Sequence, residues 1–390
     1  MKRAIWFVLD SVGMGALPDA EQFGDTGANT IYSASQAVPD FKLPVLQSLG
    51  YGNIEGMKGV DGVAAPIGAY GKLAEMSNGK DTTIGHWEMT GIYTPKAFPV
   101  YPDGFPKEIM DAFVEQTGCG GYLANKVASG TEIIDEFAAE QRKTGYPIIY
   151  TSADCVFQIA AHEDVIPVER LYEICQIARS ILTGCHEVAR VIARPFVGEE
   201  GNYRRTSNRR DFSKLPDADN TLVHLKEAGY TVAAVGKISD IFANVGITTA
   251  KHTKSNMDGI EVTLDYMKEI PEGLIYTNLV EFDSSWGHRR DAVGYANGLM
   301  EFDKRLSEIL SAMTDEDLLI ITADHGCDPC FKGTDHTREY VPVLFYRKGM
   351  KSVNLGTGKT FANIGQTVCE QFGVPKVPIG ESYWSLLNSK

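Results

Sequence analysis

Three short apolar runs in this 390-residue chain each lead into an aspartate. Residues 5–9 run into Asp10, residues 279–282 into Asp283, and residues 319–323 into Asp324. In open α/β sheets, ligands bind outside the carboxyl ends of the strands. Three carboxylates delivered to that edge repel one another unless cations lie between them. Three of the chain's eight histidines, His288, His325 and His336, fall close to these acids in sequence. Any one of the six could be an ordinary turn aspartate or a core histidine; together they form a set of hard and borderline donors suited to Mn²⁺ or Zn²⁺. Six ligands are too many for one tetrahedral ion. They suit a pair of ions able to clamp the attacking and leaving oxygens of a phosphoryl transfer.

Such chemistry needs a nucleophile and a phosphate-holding group. The stretch Lys80-Asp81-Thr82-Thr83-Ile84-Gly85-His86-Trp87-Glu88 offers two adjacent threonines. A metal ion's field would favour loss of a threonine's proton, although Asp-Thr-Thr is also an ordinary helix start. Between residues 190 and 210 stand six arginines (Arg190, Arg194, Arg204, Arg205, Arg209 and Arg210) against Glu199 and Glu200, a local balance of +4. Guanidinium forks match phosphate oxygens, and a solvated charged face is the competing reading for each of them. Lys237, just after an apolar run at 232–235, is a further candidate. Cys327 and Cys330 follow Asp324 closely, but no second cysteine pair accompanies them, and they read as incidental thiols near the site.

The elements that must position these groups are those of an α/β protein. Residues 4–9, 232–235, 274–282 and 318–322 are apolar without alternation, as befits parallel strands buried on both faces. Residues 219–228, with Asp219 as cap and Gly229 as stop, predict a helix; so do residues 291–313, with one apolar face through Leu299, Phe302, Leu306 and Ile309. The alternation of strand and helix predicts a mainly parallel sheet flanked by helices. An intervening segment has its own strands at 147–151 and 188–193 and its own helix at 168–182. It is bounded by Pro99, Pro102, Gly104 and Pro106 on one side and Pro216 on the other. The expected organisation is a core from residues 1–98 and 217–390 with a smaller α/β cap domain, 99–216, inserted.

Composition agrees with a globular enzyme, at 43% hydrophobic and 23% charged residues. A formal net charge of −14 disfavours nucleic acid and anionic membrane as partners. Seven cysteines, odd in number and irregularly spaced, argue for a reducing compartment over a disulfide framework. The opening apolar run is too short for a signal peptide and no stretch approaches the length of a membrane span, so a cytoplasmic location is expected, with no obligate protein partner.

The motifs resemble one family in order along nearly the whole chain. Asp10-Ser11-Val12-Gly13, Gly79-Lys80-Asp81-Thr82, Gly85-His86-Trp87-Glu88, Lys254-Ser255-Asn256-Met257-Asp258-Gly259, Gly287-His288-Arg289-Arg290, Thr322-Ala323-Asp324-His325-Gly326 and Gly333-Thr334-Asp335-His336-Thr337-Arg338-Glu339 are similar to the phosphopentomutase family, within the alkaline-phosphatase superfamily. Arg194-Pro195-Phe196-Val197-Gly198 extends the likeness into the inserted segment. The resemblance implies an alkaline-phosphatase-like core and interconversion of ribose 1-phosphate with ribose 5-phosphate, and of the 2-deoxyribose pair, in nucleoside salvage. It implies two Mn²⁺ ions, one on Asp10, Asp324 and His325 and the other on Asp283, His288 and His336. Thr82 would be the phosphorylated residue, primed by glucose 1,6-bisphosphate or ribose 1,5-bisphosphate. Ser152, Asp154, Arg190, Arg205 and Lys237 would contact the pentose phosphate. The chain departs from the family pattern at Ile84, where the family has Thr, and at Cys327, where it has Asn. The first departure keeps Thr83 as a rival nucleophile. A metal-dependent phosphatase of the same superfamily is the alternative reading, and a non-catalytic sugar-phosphate binder a more distant one.

Overall fold

The computed structural model describes residues 2–152 and 155–388, in two compact units. One comprises residues up to Ala97 together with those from Pro216 onward, and the other runs from Phe98 to Leu215.

In the first unit the wholly buried strand Arg3–Leu9 pairs in parallel with Gly273–Leu279 on one side and Asp317–Thr322 on the other. All three runs are buried throughout and mostly apolar because both faces of the sheet are covered. The eight-stranded order is Thr249–Lys251, Thr231–Val235, Gly273–Leu279, Arg3–Leu9, Asp317–Thr322, Val341–Tyr346, Ala69–Leu73 and Val353–Gly358. Val341–Tyr346 is antiparallel to both of its neighbours. An antiparallel return needs no helical crossover, so the connection from 323 to 340 stays at the carboxyl edge of the central strands. That connection carries Asp324, His325 and His336.

The long helix Ala292–Ala312 buries Leu299, Phe302, Leu306 and Ile309 as their spacing requires, and the Asp291 side chain caps it by accepting from the Gly294 amide. Two sequence expectations shift. The helix expected over 219–228 is Thr221–Glu227, and its cap is Asn220, whose Oδ1 accepts from the Leu222 and Val223 amides. Asp219 stands one residue too early and lies 3.0 Å from His224 instead. The strand expected over 274–282 stops at Leu279, and the chain turns through a π-helical segment, Phe282–Gly287. The His288 amide donates to the Asp283 carbonyl at 3.1 Å, the wide i to i+5 bond of such a turn. Asp283 therefore sits inside a turn, with its side chain brought to the same place as that of His288.

The second unit is a six-stranded sheet in the order Leu123–Val127, Ile148–Thr151, Val156–His162, Arg190–Val197 and Arg204–Arg205, with Arg210–Ser213 also pairing to Arg190–Val197. Alternate residues feed two separate apolar clusters. Ile149, Phe157 and Ile159 pack with the helices Lys107–Thr117 and Val168–Ile181, while Ile148, Tyr150 and Ala160 pack with Glu132–Thr144. Among the described residues no helix is long and apolar enough to cross a membrane.

Candidate active site

The three central strands of the first unit release their chains at one edge, and the six expected ligands converge there. The His325 Nε2 atom lies 3.2 Å from Asp324 Oδ2 and 3.6 Å from Asp10 Oδ1. Asp283 Oδ1 lies 3.2 Å from His336 Nε2 and 3.4 Å from His288 Nε2, and those two nitrogens are 3.1 Å apart. The His325 and His336 rings stack at 3.9 Å, joining the two groups. All but His288 are buried.

Local structure fixes the histidine tautomers. The Nδ1 of His325 is 3.1 Å from the Gly326 carbonyl and that of His288 is 2.6 Å from the Thr334 carbonyl. A carbonyl can only accept, so each Nδ1 carries a hydrogen, which leaves Nε2 as the nitrogen able to offer a lone pair to an ion.

The donor set fits divalent metal ions. One carboxylate oxygen of each of Asp10, Asp283 and Asp324 is buried with no hydrogen-bond partner, although ring nitrogens lie within 3.2–3.6 Å of them. Proximity without donor geometry is what ligand atoms around a shared ion show. Without an ion, protons balance the charge. Burial, then the charges of Asp324 and Asp283, push the Asp10 carboxyl well above its ordinary value. Burial works against a charged His325, but Asp324 and Asp10 outweigh it and hold the ring well above its usual pKa. At Asp283 burial is likewise overcome, by His336 and His288, and its carboxyl stays well below the usual range.

Thr82 begins the helix Thr82–Met89, and its hydroxyl is 3.1 Å from His325 Nε2. Asp81 caps that helix, its Oδ1 accepting from the Thr83 and Ile84 amides. The segment is the capped helix start that one sequence reading expected, and the cap sets the Thr82 hydroxyl beside His325. Gly85 lets the helix lie on the ligand loop, since a Cβ there would come within 2.2 Å of the Asp324 carbonyl oxygen.

Several positioning groups have no role in the sequence reading. His86, fully buried, places Nδ1 2.9 Å from the Thr82 carbonyl and 3.2 Å from Asp324 Oδ2. Asn278 donates from Nδ2 to Asp10 Oδ2 at 3.0 Å and lies 3.3 Å from His86 Nε2. One amide and one imidazole thus tie two of the expected ligands to the Thr82 backbone. Asn278 left a signal, being an amide within a wholly buried apolar strand. Outer groups that orient ligands are worth about 10–100-fold in metal affinity. Asn278→Leu is accordingly expected to weaken divalent-ion binding on that scale, measured by calorimetry on stripped protein; unchanged affinity would remove Asn278 from the site's support.

Arg338, buried, clasps the segment leading to Thr82. Its guanidinium donates to the carbonyls of Glu75 (3.0 Å), Ser77 (2.9 Å) and Gly79 (2.6 Å), and it pairs with Glu75 at 2.6 Å and Asp19 at 2.9 Å. Lys80 bridges Asp25 and Asp335, each at 3.0 Å.

Among the expected substrate contacts, Lys237 belongs to the unit that holds this cluster. Lys237 lines a recess of about 320 Å³ with His252, Lys254, Ser255, Glu281 and Ser284, at the carboxyl end of Thr231–Val235. Its charge lowers the Asp10 pKa, opposing burial. Ser152, Arg190 and Arg205 belong to the second unit. There Arg190 lies 3.5 Å from Asp211, and Arg205 is exposed. Burial and the charges of Arg209 and Arg205 depress the Arg194 pKa, a sign of a concentrated positive field. Asp154 lies outside the described residues.

Comparison with known proteins adds the decisive observation. Residues 2–376 match the family described as the metalloenzyme superfamily. The chain is 58% identical over 384 residues to the phosphopentomutase of Clostridium novyi (strain NT), covering 98% of each chain. It is 57% identical to that of Acetivibrio thermocellus over 98% of this chain and 99% of the other.

The chain belongs to the phosphopentomutase family.

The phosphopentomutase of Clostridium kluyveri (strain ATCC 8527) matches over the full length of both chains at 52%. Among solved structures, Leishmania mexicana phosphoglycerate mutase superposes with a TM-score of 0.50 at 12% identity, covering 98% of this chain and 97% of that one. At such identity the likeness speaks for the fold alone, an α/β core of the alkaline-phosphatase kind. Membership of the phosphopentomutase family makes the chain an isomerase that moves a phosphoryl group, and the metalloenzyme match agrees with the donor cluster.

Proposed function

We propose that this chain interconverts ribose 1-phosphate and ribose 5-phosphate, and the 2-deoxyribose pair, through a phosphothreonine at Thr82, in cytoplasmic nucleoside salvage. The observation that carries the reading is the Thr82 hydroxyl 3.1 Å from His325 within the ligand cluster, in a chain this similar to phosphopentomutases.

Asp10, Asp324 and His325 would hold one ion, and Asp283, His288 and His336 the other; we take both as Mn²⁺. Bound there, the ions would supply positive charge to a transferring phosphoryl group and to the oxygen it leaves. Thr82 Oγ1 does the carrying. Phosphorylated Thr82 gives its phosphoryl group to the free hydroxyl of a pentose monophosphate; the new P–O bond forms as the bond to Thr82 breaks. The resulting bisphosphate reorients, and its other phosphate returns to Thr82 Oγ1. A phosphothreonine at a helix N-terminus is stabilised by the helix's positive end. Ser152, Asp154, Arg190, Arg205 and Lys237 are proposed sugar-phosphate contacts, and a cap domain over residues 99–216 would limit loss of the phosphoryl group to water. Traces of glucose 1,6-bisphosphate or ribose 1,5-bisphosphate would phosphorylate Thr82 initially.

Incubating the chain with ribose 1-phosphate, Mn²⁺ and a trace of glucose 1,6-bisphosphate is expected to yield ribose 5-phosphate, with little free phosphate. A chelator should abolish this conversion, and Mn²⁺ should restore it. Free phosphate as the main product would make the chain a phosphatase and overturn the mutase reading.

A further inference from the structure

Cys327 follows the ligands Asp324 and His325 on the same loop, yet the reaction described above leaves it unused. It is 1% exposed, and its sulfur, an Asp283 carboxylate oxygen and a His288 ring nitrogen lie within 4.8 Å of one another. The placement is built from both sides. Its amide faces the Ser11 carbonyl at 3.2 Å and Thr30 Oγ1 at 3.1 Å. Across from it, the turn carrying Asp283 and His288 has glycine at 287, where a Cβ would come within 2.9 Å of the sulfur. Asp283 is 4% exposed, and its Oδ1 has no hydrogen-bond partner. The sulfur's contact with the Asp335 carbonyl, at 3.8 Å, is weak.

A carboxylate oxygen, an imidazole nitrogen able to offer a lone pair and a thiol form a mixed O, N, S donor set. Thiolate selects borderline and soft ions such as Zn²⁺ and Co²⁺ over the hard Mn²⁺. We propose that Cys327 is a further ligand of the ion held by Asp283 and His288, so that this position, taken above as a Mn²⁺ site, prefers Zn²⁺ or Co²⁺ through a metal–sulfur bond. The inference rests on the metal reading of the site. On binding, the thiol proton passes to solvent as the metal–sulfur bond forms.

The test is the absorption spectrum of the full chain, stripped of metal and titrated with Co²⁺. Wild type is expected to develop visible d–d bands together with a sulfur-to-cobalt charge-transfer band in the near ultraviolet. Cys327→Ser should keep the d–d bands and lose the charge-transfer band, whereas Cys330→Ser, altering the exposed neighbouring thiol, should keep both. Competition binding should show the preference for Zn²⁺ over Mn²⁺ falling in Cys327→Ser by at least the ~10-fold typical of losing even an outer supporting group. Cys327→Ala serves as the second variant should the serine protein not fold. Wild type with d–d bands but no charge-transfer band would overturn the assignment, as would a band that survives in Cys327→Ser or disappears in Cys330→Ser. Absence of d–d bands from every protein would overturn the metal reading itself, and this inference with it.

Discussion

Thr82→Ala is expected to abolish pentose phosphate interconversion. Removing an enzyme's nucleophile can lower kcat on the order of 10⁶-fold, and the alanine leaves no oxygen where Thr82 Oγ1 faces His325. The fold should survive, because the helix cap resides in the Asp81 side chain and the Thr83 and Ile84 amides. Thr82→Ser restores a hydroxyl at the same place and should regain turnover. Thr83→Ala should stay close to wild type. A coupled assay for ribose 5-phosphate reads all three, and intact mass after exposure to glucose 1,6-bisphosphate reports phosphorylation. An active, phosphorylated Thr82→Ala protein would transfer the role to Thr83.

Arg338→Met should cost about 3–5 kcal/mol of stability, the scale for removing one partner from a buried ion pair. Methionine keeps much of the side chain's volume over the Phe23 ring but leaves Glu75 and Asp19 without their cation. It also strips donors from the Glu75, Ser77 and Gly79 carbonyls, so the residues leading to Thr82 lose their anchor. Turnover should therefore fall even where the variant is folded. The pH dependence has a definite sign. Burial pushes the Glu75 carboxyl well above its ordinary value despite the opposing charge of Arg338. A carboxyl raised in the fold contributes stability below its unfolded pKa and loses it as pH rises through the folded value. Without Arg338 the carboxyl rises further. The deficit of the variant should then be smallest at acid pH and grow as pH rises through the folded value, as read by denaturant unfolding at a series of pH values. A deficit independent of pH would mean that Glu75 is not the group left stranded.

The central strands were legible because a strand covered on both faces must be apolar along most of its length, and residues 4–9 and 318–321 write that requirement directly into the chain. The aspartates after them could be read for the same reason: a charge that interrupts such a run has to be doing something at the sheet's edge. Asp283 shows the limit of this logic. Its apolar run continues past the strand, so nothing in residue type marks where the π-helical turn begins. Asp219 and Asn220 are neighbouring residues of similar capping strength, and only the extended backbone of Asn220 separates them. The partners of the supporting groups were beyond sequence for another reason. Asn278 meets Asp10 across 268 positions and Arg338 meets Glu75 across 263. Periodicity carries no information about such convergence. Cys327 looked incidental by spacing, and its place beside Asp283 and His288 depends on a turn that spacing does not show.

The position of the Arg3–Leu9 strand at the middle of its sheet also governs the order in which the protein can be assembled. Both of its partners lie in residues 273–322. At about 5–20 residues per second of synthesis, the strand waits on the order of ten to fifty seconds for anything to pair with. Throughout that interval Ile5-Trp6-Phe7-Val8-Leu9, uncharged and without proline or glycine, is the kind of segment that pairs with copies of itself. Residues 98–215 face no such delay, since their sheet is built from strands close in sequence and local pairings form fastest. Newly made chains therefore pass through a stage in which one unit is folded while the centre of the other is still open. The yield of active protein is therefore expected to vary with translation rate.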